Sequence, residues 1–218
     1  MDKMTVLDYI RRNGIIAIIR ADSGEDLVRV VEAVAEGGIR CIEVTMTTPG
    51  ALRCLELAAA RLLASDICLG VGSVLDAETA RLAILAGARY VVSPVLAPGV
   101  IETAHRYGCP CLPGAFTPTE IFTAWEAGAD MVKVFPASLG GLDYIKAVRA
   151  PLPNIPLVPT GGVDLNNLAA FVAAGVSAIG VGGNLAGKDL IKAGKFAEIT
   201  ENARKYATAL AVARNSLG

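Results

Sequence analysis

Aromatic side chains make up only 5% of this 218-residue chain, charged ones only 19%, and histidine occurs once. With so few aromatics, small aliphatic residues must fill any core. The charge balance is nearly even, at a formal net −1, so the broad basic field that attracts nucleic acid is missing. No apolar run reaches the roughly 18 uninterrupted residues that a membrane-spanning helix needs. The opening stretch, Met1 to Gly14, lacks the apolar core of a secretory signal. A soluble, cytoplasmic protein is therefore expected, with neither a nucleic-acid nor a membrane partner. Five cysteines stand at 41, 54, 68, 109 and 111, but their spacing fits no zinc pattern, and Cys109-Pro110-Cys111 is not a CxxC pair. They read as thiols buried or partly buried in a reducing compartment. No metal site is apparent, and the single His105 reads as a surface residue on a helix.

Apolar residues, at 53%, dominate what is present. The length fits one domain spanning 1–218, somewhat short of the roughly 250 residues usual for a (β/α)₈ barrel. Short apolar runs recur along it: Ile15 to Arg20, Cys41 to Thr45, Cys68 to Gly72 and Tyr90 to Pro94. Cys111 to Gly114, Met131 to Phe135, Leu157 to Thr160 and Ala178 to Gly182 follow. Such near-continuous runs suit strands covered on both faces. Longer stretches rich in Ala, Leu and Glu separate them and read as helices. Ser23 caps the first of these and Gly37-Gly38 ends it; Asp76, Thr117 and Asp164 open others that stop at Gly87, Gly128 and Gly175. An Ala-Gly-Ala or Ala-Gly-Val phrase recurs before strands at 86–88, 127–129 and 174–176. Eight strands alternating with helices predict an α/β fold of the (β/α)₈ TIM-barrel type. A doubly wound open sheet is the rival, disfavoured because no strand reads as an edge. A short helix, Thr5 to Arg12, precedes the first strand and plugs the barrel's bottom; Phe196 to Leu210 reads as the last outer helix.

In such a barrel the active site lies at the C-terminal ends of the strands. Polar residues fall there: Arg20, Glu43 with Thr45 and Thr47, Ser73, Ser93, Lys133, Thr160 with Gly161 and Gly162, and Gly182, Gly183 and Asn184. Lys133 is the sharpest of them, set in Met-Val-Lys-Val-Phe-Pro. If Val132 and Val134 face the helices, Lys133 faces the interior with Phe135. Burial strips hydration from an ammonium and favours the neutral amine that Schiff-base chemistry requires. The bland alternative is an outward lysine whose head reaches water. Glu43, in Cys-Ile-Glu-Val-Thr, suits proton transfer, directly or through a water. Its bland alternative is an ion pair with Lys133 or Arg20. The glycine pairs after strands seven and eight stand where this fold often binds phosphate, because bare backbone N–H groups can approach an anion.

At these residues the chain resembles, from about Val6 to Tyr206, the 2-keto-3-deoxy-6-phosphogluconate aldolase and 4-hydroxy-2-oxoglutarate aldolase family of class I aldolases. The matching segments are Ile42 to Thr45, Gly70 to Leu75, Val92 to Pro94, Pro113 to Glu120, Val132 to Ala137 and Pro159 to Val163. The resemblance implies Lys133 as the Schiff-base lysine and Glu43 as the acid/base, with no cofactor. It implies that Ser73, at a position usually Thr, helps hold a keto-acid carboxylate, and that Pro94 and Phe135 line the pocket. Thr160, Gly161, Gly162, Gly182, Gly183 and Asn184 would hold a phosphate. It also implies a homotrimer and a small keto-acid substrate.

One departure stands out. Thr47 occupies the place where the gluconate-type branch usually carries Arg. The galactonate-type branch lacks that Arg too and has an Arg at the end of strand one, as Arg20 is here. The expected reaction is cleavage of a 2-keto-3-deoxy-6-phosphosugar acid to pyruvate and glyceraldehyde 3-phosphate, and possible action on 4-hydroxy-2-oxoglutarate goes with it. The alternatives are a phosphosugar epimerase or isomerase using Glu43 without a covalent step, and a non-catalytic sugar-phosphate-binding protein.

Overall fold

The computed structural model describes residues 2–21, 23–63 and 65–217. Nine strand segments are present among them: β1 (Ile15–Ile19), β2 (Cys41–Thr45), β3 (Cys68–Gly72), β4 (Val91–Val92), β5 (Cys111–Leu112), β6 (Gly114–Ala115), β7 (Val132–Val134), β8 (Leu157–Pro159) and β9 (Ile179–Val181). The helices that precede and follow them are α1 (Lys3–Asn13), α2 (Gly24–Glu36), α3 (Ala51–Arg61), α4 (Ala77–Leu85) and α5 (Pro98–Arg106). They continue with α6 (Pro118–Glu126), α7 (Ala137–Arg149), α8 (Leu168–Ala173), α9 (Lys188–Lys192) and α10 (Phe196–Asn215).

Every strand pairing is parallel, in the orders β5-β4-β3-β2-β1-β9 and β6-β7-β8. β5 and β6 are halves of one stave, parted at Pro113, which has no N–H to give the ladder. A parallel bridge between Thr160 and Gly180 joins β8 to β9. The sheet thus closes on itself as a (β/α)₈ barrel. Closure excludes the doubly wound rival, which would leave two edge strands.

Two apolar layers hold the barrel. Outward residues such as Ile42, Val44, Val71, Val132 and Val134 pack beneath the helices. Inward residues, including Ile16, Ile18, Cys41, Cys68, Tyr90, Leu112, Met131 and Val158, fill the interior. The floor comes from α1, whose Val6, Leu7 and Ile10 join that inner cluster. The Asp2 side chain caps α1 by accepting from the Thr5 N–H at 2.8 Å. Thr117 and Glu120 form a reciprocal capping box at α6. The Glu120 carboxylate is held below its ordinary range by the N–H of Thr117, then that of Phe116. A depressed carboxylate stabilises the fold above its unfolded titration, and the effect is lost as pH falls through the folded one.

Several boundaries depart from the sequence reading. The expected strand over 90–94 pairs only at Val91–Val92, and that over 111–114 is split at Pro113. The strands expected over 131–135, 157–160 and 178–182 are each shorter in the ladder. The first helix is longer than 5–12, and the last runs on to Asn215. Asp164 does not open a helix directly. Its Oδ1 accepts from the N–H groups of Asn166 and Asn167 while Asn167 Oδ1 accepts from the Asp164 N–H, and this closed turn delays α8 to Leu168. His105 is not a free surface residue. It is part-buried on α5, with Nε2 2.8 Å from Asp130 Oδ2 and 3.0 Å from Lys3 Nζ, so it ties α1 to the start of β7.

Ile10 is fully buried where α1 seals the barrel. Ile10→Ala leaves a cavity there and is expected to cost about 2–5 kcal/mol in urea denaturation. A loss under about 1 kcal/mol would mean that the floor does not pack as described.

Candidate active site

Alternation on β7 places Val132 and Val134 in the outer layer and Met131 in the inner cluster, so Lys133 turns into the barrel. Only 6% of Lys133 is exposed. Its Nζ lies 5.2 Å from the Phe135 ring centroid. On β2, Ile42 and Val44 face outward and Glu43 inward, and Glu43 is 2% exposed. Its Oε1 is fully buried and has no hydrogen-bond partner among the described residues. No ion pair within 4.0 Å joins Glu43 to Lys133 or to Arg20 among the described residues, so the bland ion-pair reading does not hold. An amine and a carboxylate thus share one interior without an ion pair between them, and one carboxylate oxygen lacks the partner that burial normally demands.

Small residues make this room. The carboxylate of Glu43 lies over Gly72, where a side-chain carbon would sit 1.7 Å from Oε1. Beneath it, Cys41 and Cys68 are register partners on β2 and β3. The Cys41 thiol is pushed up by its hydrogen bond to Cys68 and by burial.

The mouth residues sit at strand ends as expected, with unequal exposure. Ser73 follows β3 and is the one non-glycine among the described residues with a left-handed φ, at 60°. That conformation costs an L-residue roughly 1–2 kcal/mol, and backbone strain of this kind collects at functional sites. Pro94, after β4, and Phe135, after β7, are half-buried on either side of the β5–β6 stave. Thr47 is exposed, with Oγ1 3.0 Å from Thr45 Oγ1. Arg20 is exposed and its guanidinium leans toward Gly182, where a side-chain carbon would lie 3.9 Å from Nη1.

Thr160 is buried, its hydroxyl donating to the Val158 carbonyl at 3.3 Å. Gly161 and Gly162 follow with φ of 85° and 87°, a pair of left-handed conformations that other residues resist. Gly182 starts a tight turn in which its carbonyl accepts from the Leu185 and Ala186 N–H groups; Gly183 and Asn184 are exposed in it. Among the described residues no cluster of three or more His, Cys, Asp or Glu could hold a metal.

Three features were missed from sequence. Phe116, just past β6, stacks on Tyr144 of α7 with centroids 5.1 Å apart, and the Tyr144 hydroxyl donates to the Phe116 carbonyl. The third is Tyr90, fully buried inside the barrel. Its phase with Val92 was a usable signal, since both join the inner cluster.

A closed barrel with an inward lysine and glutamate near its strand ends defines a narrow class of catalysts that act on carbonyl compounds. The family described as KDPG and KHG aldolase matches residues 6–202, and the chain belongs to it. The 2-dehydro-3-deoxy-phosphogluconate aldolase of Treponema pallidum (strain Nichols) is 40% identical over 199 residues, covering 90% of this chain and 93% of that protein. The 2-dehydro-3-deoxy-6-phosphogalactonate aldolase of Escherichia coli (strain K12) is 35% identical, covering 85% and 88%. The crystal structure of KDPG aldolase from Legionella pneumophila, with pyruvate captured as a covalent carbinolamine, superposes with a TM-score of 0.82 at 28% identity, covering 88% of this chain and 92% of that one. No helix among the described residues is long and apolar enough to cross a membrane.

The five cysteines are buried and free. Burial pushes the Cys109 thiol up to about 12 and raises Cys111 as well. Ellman's reagent at pH 8 is therefore expected to find no fast-reacting thiol in the native protein and all five after guanidinium unfolding. A thiol reacting within seconds in the native state would mean that the barrel interior is open.

Proposed function

We propose that this protein is a class I aldolase that cleaves a 2-keto-3-deoxy-6-phosphosugar acid, of gluconate or galactonate type, to pyruvate and glyceraldehyde 3-phosphate. The observation that carries the reading is the buried, inward Lys133 in the same barrel interior as the buried, unpaired Glu43 oxygen. The carbinolamine seen in the Legionella relative supports the same covalent chemistry here.

The Lys133 amine attacks C2 of the keto acid, and loss of water gives an iminium. Glu43, through a water, takes the proton of the C4 hydroxyl. The C3–C4 bond breaks, its electrons pass into the iminium, and an enamine forms as the aldehyde leaves. A proton returned to C3 restores the iminium, and hydrolysis frees pyruvate and the amine. Ser73 and the Thr47 region hold the carboxylate end, and Pro94 and Phe135 line the pocket. The N–H groups around Thr160, Gly161 and Gly162 and around Gly182, Gly183 and Asn184 hold the phosphate. Arg20, leaning toward Gly182, adds a charged contact to the anionic end of the substrate. The same machinery accepts 4-hydroxy-2-oxoglutarate, which shares the keto-acid end.

The protein works in the cytoplasm as a homotrimer. The exposed Phe122 and Trp125 of α6 support an assembly that covers apolar surface. Light scattering is expected to give three times the chain mass, and a monomer at micromolar concentration would contradict it.

Treatment with pyruvate and borohydride should add one reduced pyruvate at Lys133, read by peptide mass. Glu43→Gln should lower kcat in a lactate dehydrogenase-coupled assay by about 10²–10⁴-fold while Lys133 is still trapped. An unmodified Lys133 after reduction would defeat the mechanism.

A further inference from the structure

Tyr90 is unlike the rest of the interior. Its side chain is fully buried, yet its hydroxyl has no hydrogen-bond partner among the described residues. A phenol buried without a partner costs free energy that a phenylalanine at the same place would not. The only other unpartnered buried side-chain oxygen found among the described residues is Oε1 of Glu43.

The two groups meet across one strand. β2 pairs with β3 so that Glu43 lies opposite Gly70, and the Val71 N–H bonds to the Tyr90 carbonyl on the far side. The Tyr90 ring therefore starts one stave beyond Gly70 and reaches back over it. A side-chain carbon on Gly70 would sit 2.3 Å from Tyr90 Cζ, the atom that bears the hydroxyl. The Glu43 carboxylate reaches over β3 from the opposite side and lies on Gly72. Gly70 and Gly72 are two residues apart on the same face, about 6.6 Å along a strand. Donor and acceptor thus approach over a floor cleared of side chains, without touching. Each lacks a protein partner, and one bridging water would give both a hydrogen bond of about 2.8 Å.

We propose that Tyr90 is a positioning residue for the acid/base, its hydroxyl holding Glu43 Oε1 through one trapped water. This rests on the reading of Glu43 given above. Burial first, then the fields of Cys41, Cys68 and Glu43, push the Tyr90 phenol well up, which keeps it an uncharged donor. The other ionisable group turned into this interior is Lys133 on β7. The bridge fixes one carboxylate oxygen and leaves the second for the substrate's C4 hydroxyl and C3.

The test is Tyr90→Phe, compared with Glu43→Gln and the double variant. Three readouts are kcat in the coupled aldol-cleavage assay, deuterium exchange at C3 of pyruvate, and borohydride trapping of Lys133. Tyr90→Phe should lower kcat and C3 exchange about 5- to 20-fold and move the acid limb of the kcat–pH profile to higher pH, with trapping and KM nearly unchanged. In the Glu43→Gln background it should add less than twofold, because the two act as one unit. A variant with wild-type kcat and an unmoved acid limb would overturn the proposal, as would fully multiplicative effects. Should Tyr90→Phe fail to fold, 3-fluorotyrosine at position 90 keeps the ring and makes a stronger donor. It should move the acid limb to lower pH, and no movement would overturn the proposal. Absence of pyruvate trapping in the wild type would instead remove the aldolase reading itself, so the two failures are distinguishable.

Discussion

The structure depends on keeping an amine and a carboxylate together in one buried interior without letting them pair. A buried ion pair between Lys133 and Glu43 would satisfy both groups and silence both. Burial of an unmatched ionisable group normally costs several kcal/mol, so such an arrangement persists only where the surrounding packing fixes it. Here the packing is the barrel. Its outer layer, with Val132 and Val134 on one stave and Ile42 and Val44 on another, locks the phase of both strands. Any one-residue slip would turn Lys133 and Glu43 outward among the helices.

The remaining features serve that arrangement. Glycines clear the inner face of β3, so that a carboxylate can lie on Gly72 and a phenol on Gly70. α1 closes the floor with Val6, Leu7 and Ile10, leaving the strand ends as the open side. The left-handed Ser73 and the left-handed Gly161–Gly162 pair stand on that side. The proposed chemistry uses that placement: the Lys133 amine bonds to a ketone, and the Glu43 carboxylate moves the protons.

Much of this was legible in the sequence because the covered strands are nearly continuous apolar runs. β2 and β3 fall where their patterns put them, and Lys133 and Glu43 stand out as charges inside such runs. Caps at Ser23, Asp76 and Thr117 were likewise readable, since a side-chain oxygen before a helix has one obvious use. What was not legible depends on contacts far apart in the chain. The triad of Lys3, His105 and Asp130 joins three separate segments. The break at Pro113 and the closed turn at Asp164 follow from which backbone groups find partners, which apolar pattern does not encode. Tyr90 looked like any strand aromatic until the neighbouring staves supplied its surroundings.

The central claim is that one buried amine forms the covalent bond while Glu43 stands within reach of the bound substrate. A crystal structure after soaking with pyruvate tests both halves at once. The account predicts electron density continuous from Lys133 Nζ to C2 of pyruvate inside the barrel, with a Glu43 oxygen in hydrogen-bond range of the adduct or of a water on it. Pyruvate held without a bond to Lys133, or bonded to a different lysine, would contradict it.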